Sequence, residues 1–155
     1  MDLAVPDWIF HNDVLVLAAT ADSTGALEIT RSIGARRTGA DRIRIYLPVP
    51  ESLHFLNLAA DLGRVSIVCG RPRDYRSIQL KAEGARPVAT TAEDAAAVAR
   101  YRAELGPALE GAGIPSEIWD QLISREVVTV EARLSSSWEQ TPGANAGTRL
   151  DGGAG

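Results

Sequence analysis

The chain has 155 residues, of which 45% are hydrophobic and 23% charged, and it carries a formal net charge of −4 with a pI near 5.2. A chain of this length and composition suits one domain that buries roughly 70% of its unfolded surface, rather than a disordered or membrane-embedded protein. The acidic balance argues against a general nucleic-acid binder, which needs clustered excess Lys and Arg.

Arginines are nonetheless concentrated locally, with Arg31, Arg36, Arg37, Arg42 and Arg44 in one stretch and Arg71, Arg73 and Arg76 in another. Either group can make an anion site inside an acidic protein. Cys69 is the only cysteine, so no intrachain disulfide forms, and its setting in Val65-Ser-Ile-Val-Cys69 predicts a packed strand interior. The N-terminus has no basic region followed by an apolar run, and no apolar stretch approaches the ~20 residues of a spanning helix, so a cytoplasmic location is expected.

In chain order, Val14–Thr20 is a short β-branched apolar run that stops at the turn formers Ala21-Asp-Ser-Thr-Gly25. Leu27–Ile33 alternates apart from one slip at Arg31 and predicts a hairpin partner; Arg42–Leu47 predicts a third strand, with Ile43, Ile45 and Leu47 on one face and Arg42, Arg44 and Tyr46 on the other. From Ser52, Leu53, Leu56, Ala60 and Leu62 recur at helical spacing, with Ser52 as the expected cap and Gly63 as the stop. Val65–Cys69 and Tyr75–Lys81 read as two further strands joined by a turn at Pro72 and Asp74. A helix is expected from Thr91 to Leu105, opened by the capping-box-like Thr91-Ala-Glu-Asp94, with Gly106-Pro107 and Gly113-Ile-Pro115 breaking the region into pieces. A short helix at Ser116–Leu122 and a last strand at Glu126–Ala132 follow.

Residues 1–140 therefore read as one domain and residues 141–155 as a Gly-rich tail without periodicity, expected to be loose unless a partner pins it. Short antiparallel strands with hairpin turns predict a small barrel with flanking helices, a mainly β, α+β architecture, because parallel pairs need crossover helices.

Standard catalytic signatures are missing. Two histidines, His11 and His54, and one cysteine leave too few ligands for a protein zinc site, and no nucleophile elbow, phosphate loop or dinucleotide fingerprint is present. What remains is the polar strand face: Arg31, Ser32 and Arg36, then Tyr46, then Ser77, Gln79 and Lys81. Arginines with hydroxyl groups suit a phosphate, since a guanidinium offers two parallel donors, and Ser52 at a helix start adds free backbone N–H groups. The competing reading is a solvated strand face. Trp8, Trp119 and Trp138 read as core or interface residues, although Trp138, between the last strand and the Thr-Pro-Gly loop, is placed to lean on a bound ring or a partner chain.

The runs Ala18-Ala-Thr-Ala-Asp-Ser-Thr-Gly25, Ile29-Thr-Arg31, Asn57-Leu-Ala-Ala60 and Arg64-Val-Ser66 resemble the pyridoxamine 5′-phosphate oxidase-like flavin split barrels. The likeness spans Val14 to Val88 and continues weakly into the final strand, and the Arg73–Lys81 and Thr141–Gly147 segments mark a subgroup. It implies a homodimeric antiparallel split β-barrel with FMN at the interface. In that family a strand Arg and, five positions later, a Lys reach the flavin phosphate region; Arg31 and Arg36 stand at that spacing, with Arg in place of Lys. The family also uses a strand residue near Tyr46, a Ser-Arg-Lys run of which only Ser52 is kept, and a polar residue matching Ser77. The resemblance thus implies a cofactor set of Arg31, Ser32, Arg36, Tyr46, Ser52, Ser77, Gln79 and Lys81, with no catalytic acid or base named. Two functions follow as expectations: an FMN-dependent oxidoreductase acting on a small molecule, or a non-catalytic dimer holding flavin, F420 or haem.

Overall fold

The computed structural model describes residues 3–150. A 3₁₀ turn at Asp7–Phe10 leads into β1 (Leu15–Ala21), β2 (Leu27–Ser32), β3 (Ala35–Arg37) and β4 (Arg42–Pro48). Then come α1 (Leu53–Leu62), β5 (Arg64–Arg71), β6 (Arg76–Val88), α2 (Ala92–Gly111), α3 (Glu117–Ile123) and β7 (Val127–Glu139). The seven strands form one antiparallel sheet in the order β2-β1-β5-β6-β7-β4-β3. Its two ends meet, because the chain passes from β2 to β3 through Ile33 and Gly34 and the Ile33 N–H donates to the Tyr46 carbonyl at 2.7 Å. The sheet thereby curls into an incompletely closed barrel.

Alternation decides what fills it. Val16 and Ala18 of β1, Ile43, Ile45 and Leu47 of β4, Val65, Ile67 and Cys69 of β5, and Ile78 and Leu80 of β6 point inward and are buried. Phe55 and Ala59 of α1, with Trp8 and Ile9, close the same core. Cys69 packs there as expected, and burial pushes its thiol up to about 12. A second apolar cluster lies where α2 covers the sheet: Val98, Tyr101, Leu105 and Leu109 pack on Ile33 and Tyr46. Gly34, at φ 91°, lies in the left-handed region, and a Cβ there would stand 3.2 Å from the Tyr101 ring.

Several expectations change. α2 does not break at Gly106-Pro107 but runs on to Gly111, because Leu105, Gly106 and Leu109 are buried; that packing outweighs the ~3 kcal/mol a mid-helix proline costs. Its start is a full capping box in which the Thr91 hydroxyl accepts from the Asp94 N–H and the Asp94 carboxylate accepts from the Thr91 N–H. Ser52 does not cap α1 with its side chain; it is buried against the Thr30 hydroxyl at 2.6 Å. β6 and β7 each extend to 13 residues, bent by register shifts after Lys81 and Glu83. Residues 141–150 are not loose: the Gln140 N–H donates to the Ser77 carbonyl, the Ser77 N–H to the Thr141 hydroxyl, and the Leu150 N–H to the Ser137 carbonyl. The remainder of the Gly-rich tail, 151–155, lies outside the described residues.

Candidate functional site

Because strand side chains alternate, the inward set leaves an opposite set on the outer face of β2, β1, β5 and β6. Cross-strand pairing lines these up in rows. One row runs Arg31–Leu17–Val68–Gln79–Trp138 across five strands. Beside it on one side runs Leu15–Gly70–Ser77, and on the other Ile29–Ala19–Ser66–Lys81–Ser136. Four adjacent strands at their usual spacing put the Arg31 and Gln79 backbones roughly 14 Å apart.

Two shallow hollows occupy this face. One, of about 370 Å³, is lined by Leu15, Leu17, Val68 and Gly70 with Arg31, Arg71, Arg76 and Ser77 around them, and by Tyr75 and Trp119. Three arginines and no carboxylate line it, a basic spot in an acidic chain. The other, of about 420 Å³, places Arg64, Ser66, Gln79 and Lys81 over Ala19 and Ala21.

The Arg31 guanidinium lies over the Trp119 ring of α3, 3.7 Å from its centre, in a cation–π contact. Burial lowers its pKa from the ordinary arginine value, but it stays a cation. The Trp119 Nε1 is buried and has no hydrogen-bond partner among the described residues. Gln79 is held at both ends: its Nε2 donates to the Ser66 hydroxyl at 2.7 Å and its Oε1 accepts from Gln140 Nε2 at 3.0 Å. The C-terminal segment therefore fixes the Gln79 amide, and Ser66 keeps a hydroxyl proton to offer. Lys81 Nζ lies 5.1 Å from the centre of the Trp138 ring.

The expected site residues divide. Arg31, Ser77, Gln79 and Lys81 share the outer face. Arg36 and Tyr46 line a separate, smaller hollow with Tyr101, where Arg36 binds the buried Asp94 at 2.7 Å and Glu93 at 2.9 Å. The Tyr46 hydroxyl donates to Asp94 at 2.9 Å, and burial first, with the Asp94 charge, raises its pKa to about 12. Tyr46 does leave the barrel interior as its alternation predicts, but α2 covers that side. Ser32 is buried, bonding Gly34 and Tyr46 backbone, and the Ser52 hydroxyl bonds that of Thr30. Arg36 and Tyr46 are thus engaged with Asp94, away from Arg31, whereas Ser32 and Ser52 make buried contacts that do not reach the outer face. Sequence reasoning had not placed Gly70, Tyr75 or Trp119 at the site. A glycine directly after a strand pattern signalled close approach at Gly70, whereas nothing in the spacing of Trp119 reveals its contact with Arg31.

The outer face joins a cationic end to an apolar floor. It offers a cation at Arg31 and a bare strand at Gly70, where a Cβ would meet nothing within 4 Å. Among the described residues no cluster of His, Cys, Asp and Glu is placed to hold a metal ion, and no helix is long and apolar enough to cross a membrane.

No protein-family profile matches the chain, and no curated protein matches it. Solved structures do. The chain is similar to the Group A Streptococcus protein HupZ (17% identity, TM-score 0.54, covering 90% of this chain and 94% of that one). It is similar to an F420 reductase (14% identity, TM-score 0.54, covering 86% and 98%). A Lactobacillus delbrueckii protein described as a candidate pyridoxamine 5′-phosphate oxidase matches at 9% identity and TM-score 0.52, covering 89% and 95%. At these identities the likeness concerns the fold, and it agrees with the curled antiparallel sheet and its three helices: the chain has the split-barrel fold of the pyridoxamine 5′-phosphate oxidase-like proteins.

Proposed function

We propose that this protein binds FMN across the outer face of β2, β1, β5 and β6 and acts as a flavin-dependent oxidoreductase on a small molecule. The observation that carries the reading is the row Arg31–Leu17–Val68–Gln79: a cation at one end, an apolar floor, and an oriented amide at the other. Arg31 holds the phosphate with two parallel N–H donors. Leu17, Val68 and Gly70 form the floor, and Ser77, Gln79 and Ser66 meet the ring with hydrogen-bonding groups. When bound, the flavin supplies the hydride or electron transfer. This chain's own groups bind it, orient it and keep water from its apolar side.

A second copy of the chain completes the site. Leu27 and Ile29, 71% and 59% exposed, stand on this same outer face beside the hollows, and apolar side chains so placed on a sheet face suit an interface. The related deazaflavin F420 is the alternative cofactor for the same row, since it too carries a ring and phosphate. Haem gains no support from His11 or His54, neither of which lines either hollow.

The test is a titration of FMN fluorescence with wild-type protein and Arg31→Ala. Loss of a hydrogen-bonded charge costs about 1.5–3 kcal/mol, so the variant binds at least tenfold more weakly. Equal affinity in the two proteins would remove Arg31 from the site.

A further inference from the structure

The turn between β5 and β6 carries groups that the cofactor reading leaves unused. Arg71 and Arg76 both lie over the Trp8 ring, 4.9 and 5.1 Å from its centre. Only Arg71 is neutralised: its Nε and Nη2 bind the two oxygens of Asp74 at 3.1 and 2.6 Å. Asp74 Oδ1 also accepts from the Arg76 N–H at 3.3 Å, so this fork fixes the turn. The Arg76 guanidinium has no carboxylate within 4 Å among the described residues. Its charge reaches Glu139 only at longer range, and that carboxylate accepts from the Thr141 N–H at 2.8 Å. Arg76 is therefore stacked on its face with donors to spare, the state in which a guanidinium takes a carboxylate. The Trp8 Nε1 beneath it is buried without a partner among the described residues.

Between the two arginines stands Tyr75, at φ 59° in the left-handed region that bulky residues avoid, with 77% of its surface exposed. Left-handed backbone at a bulky residue recurs at active sites and ligand clamps. A bare phosphate would use the cation and leave the ring idle, whereas a planar acid uses both.

We propose that the Tyr75–Arg76 turn is a ligand site, and that it recognises the carboxylate of a small planar organic acid. The Ser77 side chain stands on the outer face and the Arg76 guanidinium over Trp8, on the other side of the same strand, so the proposal stands apart from the flavin reading. Arg76 takes the carboxylate in two parallel hydrogen bonds and Tyr75 flanks the plane of the acid. Arg71 and Asp74 position the turn.

Calorimetry with benzoate and its neutral analogue benzamide tests this, on protein with and without FMN, for wild type, Arg76→Gln and Tyr75→Gly. Benzoate should bind and benzamide should bind at least about tenfold more weakly, and Arg76→Gln should erase most of that preference while costing FMN less than it costs benzoate. Tyr75→Gly relieves the left-handed backbone and so keeps the fold; it should weaken benzoate but not inorganic phosphate. Equal binding of benzoate and benzamide, or no effect of Arg76→Gln, overturns the proposal. An equal loss of FMN and benzoate on Arg76→Gln also overturns it, since Arg76 would then serve the cofactor. If the chain takes no FMN yet binds benzoate through Arg76, the flavin reading fails and the ligand site stands.

Discussion

Gly70→Val separates the site from the fold. Gly70 sits in β5 between Leu15 and Ser77 on the outer face, it is not among the glycines at positive φ, and a Cβ there meets nothing within 4 Å. The fold therefore has room for valine, and replacing a glycine inside a strand should stabilise by about 0.5–1 kcal/mol. In a domain of this size each kcal/mol moves Tm by roughly 2–4 °C, so the variant should melt at the wild-type temperature or a few degrees higher. The same side chain projects into the hollow where the ring is placed. An overpacked contact costs about 1–3 kcal/mol, which corresponds to roughly 5- to 150-fold in affinity. Thermal melts and FMN titrations on the same preparations give both quantities. A variant that binds FMN as tightly as wild type would refute the placement of the ring over Gly70, and a variant that fails to fold would refute the account of open space above it.

Arg36→Ala should behave oppositely to Arg31→Ala. It removes one of the groups that satisfy the buried Asp94, leaving Arg44 at 2.6 Å, Tyr46 and Thr91, so urea unfolding should show a loss of about 1–3 kcal/mol with FMN affinity retained. Asp94 also sets an acid limit. Burial opposes its charge, but the N–H of Thr91, the Arg36 guanidinium and the hydroxyls of Thr91 and Tyr46 outweigh it and hold the carboxyl well below the usual carboxylate range. A carboxyl depressed in the folded state contributes stability that is complete above its unfolded value near ~3.9 and is lost as pH falls below it. Urea unfolding between neutral pH and about pH 3 should therefore show falling stability below about pH 4, and Asp94→Asn should be less stable at neutral pH and flatter across that acid range.

Much of the architecture was legible because it rests on alternation and turn chemistry. Ile43, Ile45 and Leu47 declared β4, Thr91 to Asp94 declared the start of α2, and Gly63 stopped α1. Failures came where tertiary contacts override a local signal. Pro107 stays helical because Leu105 and Leu109 are buried around it. On the outer face, Ser77, Gln79 and Lys81 follow from their strand positions, since period-2 alternation puts them on one side, whereas Arg31 interrupts the apolar alternation of its strand. Arg36 could not be separated from Arg31 by spacing: what diverts it is Asp94, 58 residues later. The arginines around the β5–β6 turn were visible as a cluster, but the stacking on Trp8 that leaves Arg76 unpaired depends on a side chain more than 60 positions earlier in the chain.

The most direct test is the absorbance spectrum of the purified protein after FMN is added and the excess removed, with its mass in solution measured on the same sample. The account predicts flavin bands retained by a species of twice the chain mass, with one flavin for each chain. A protein that retains no flavin under these conditions would contradict it.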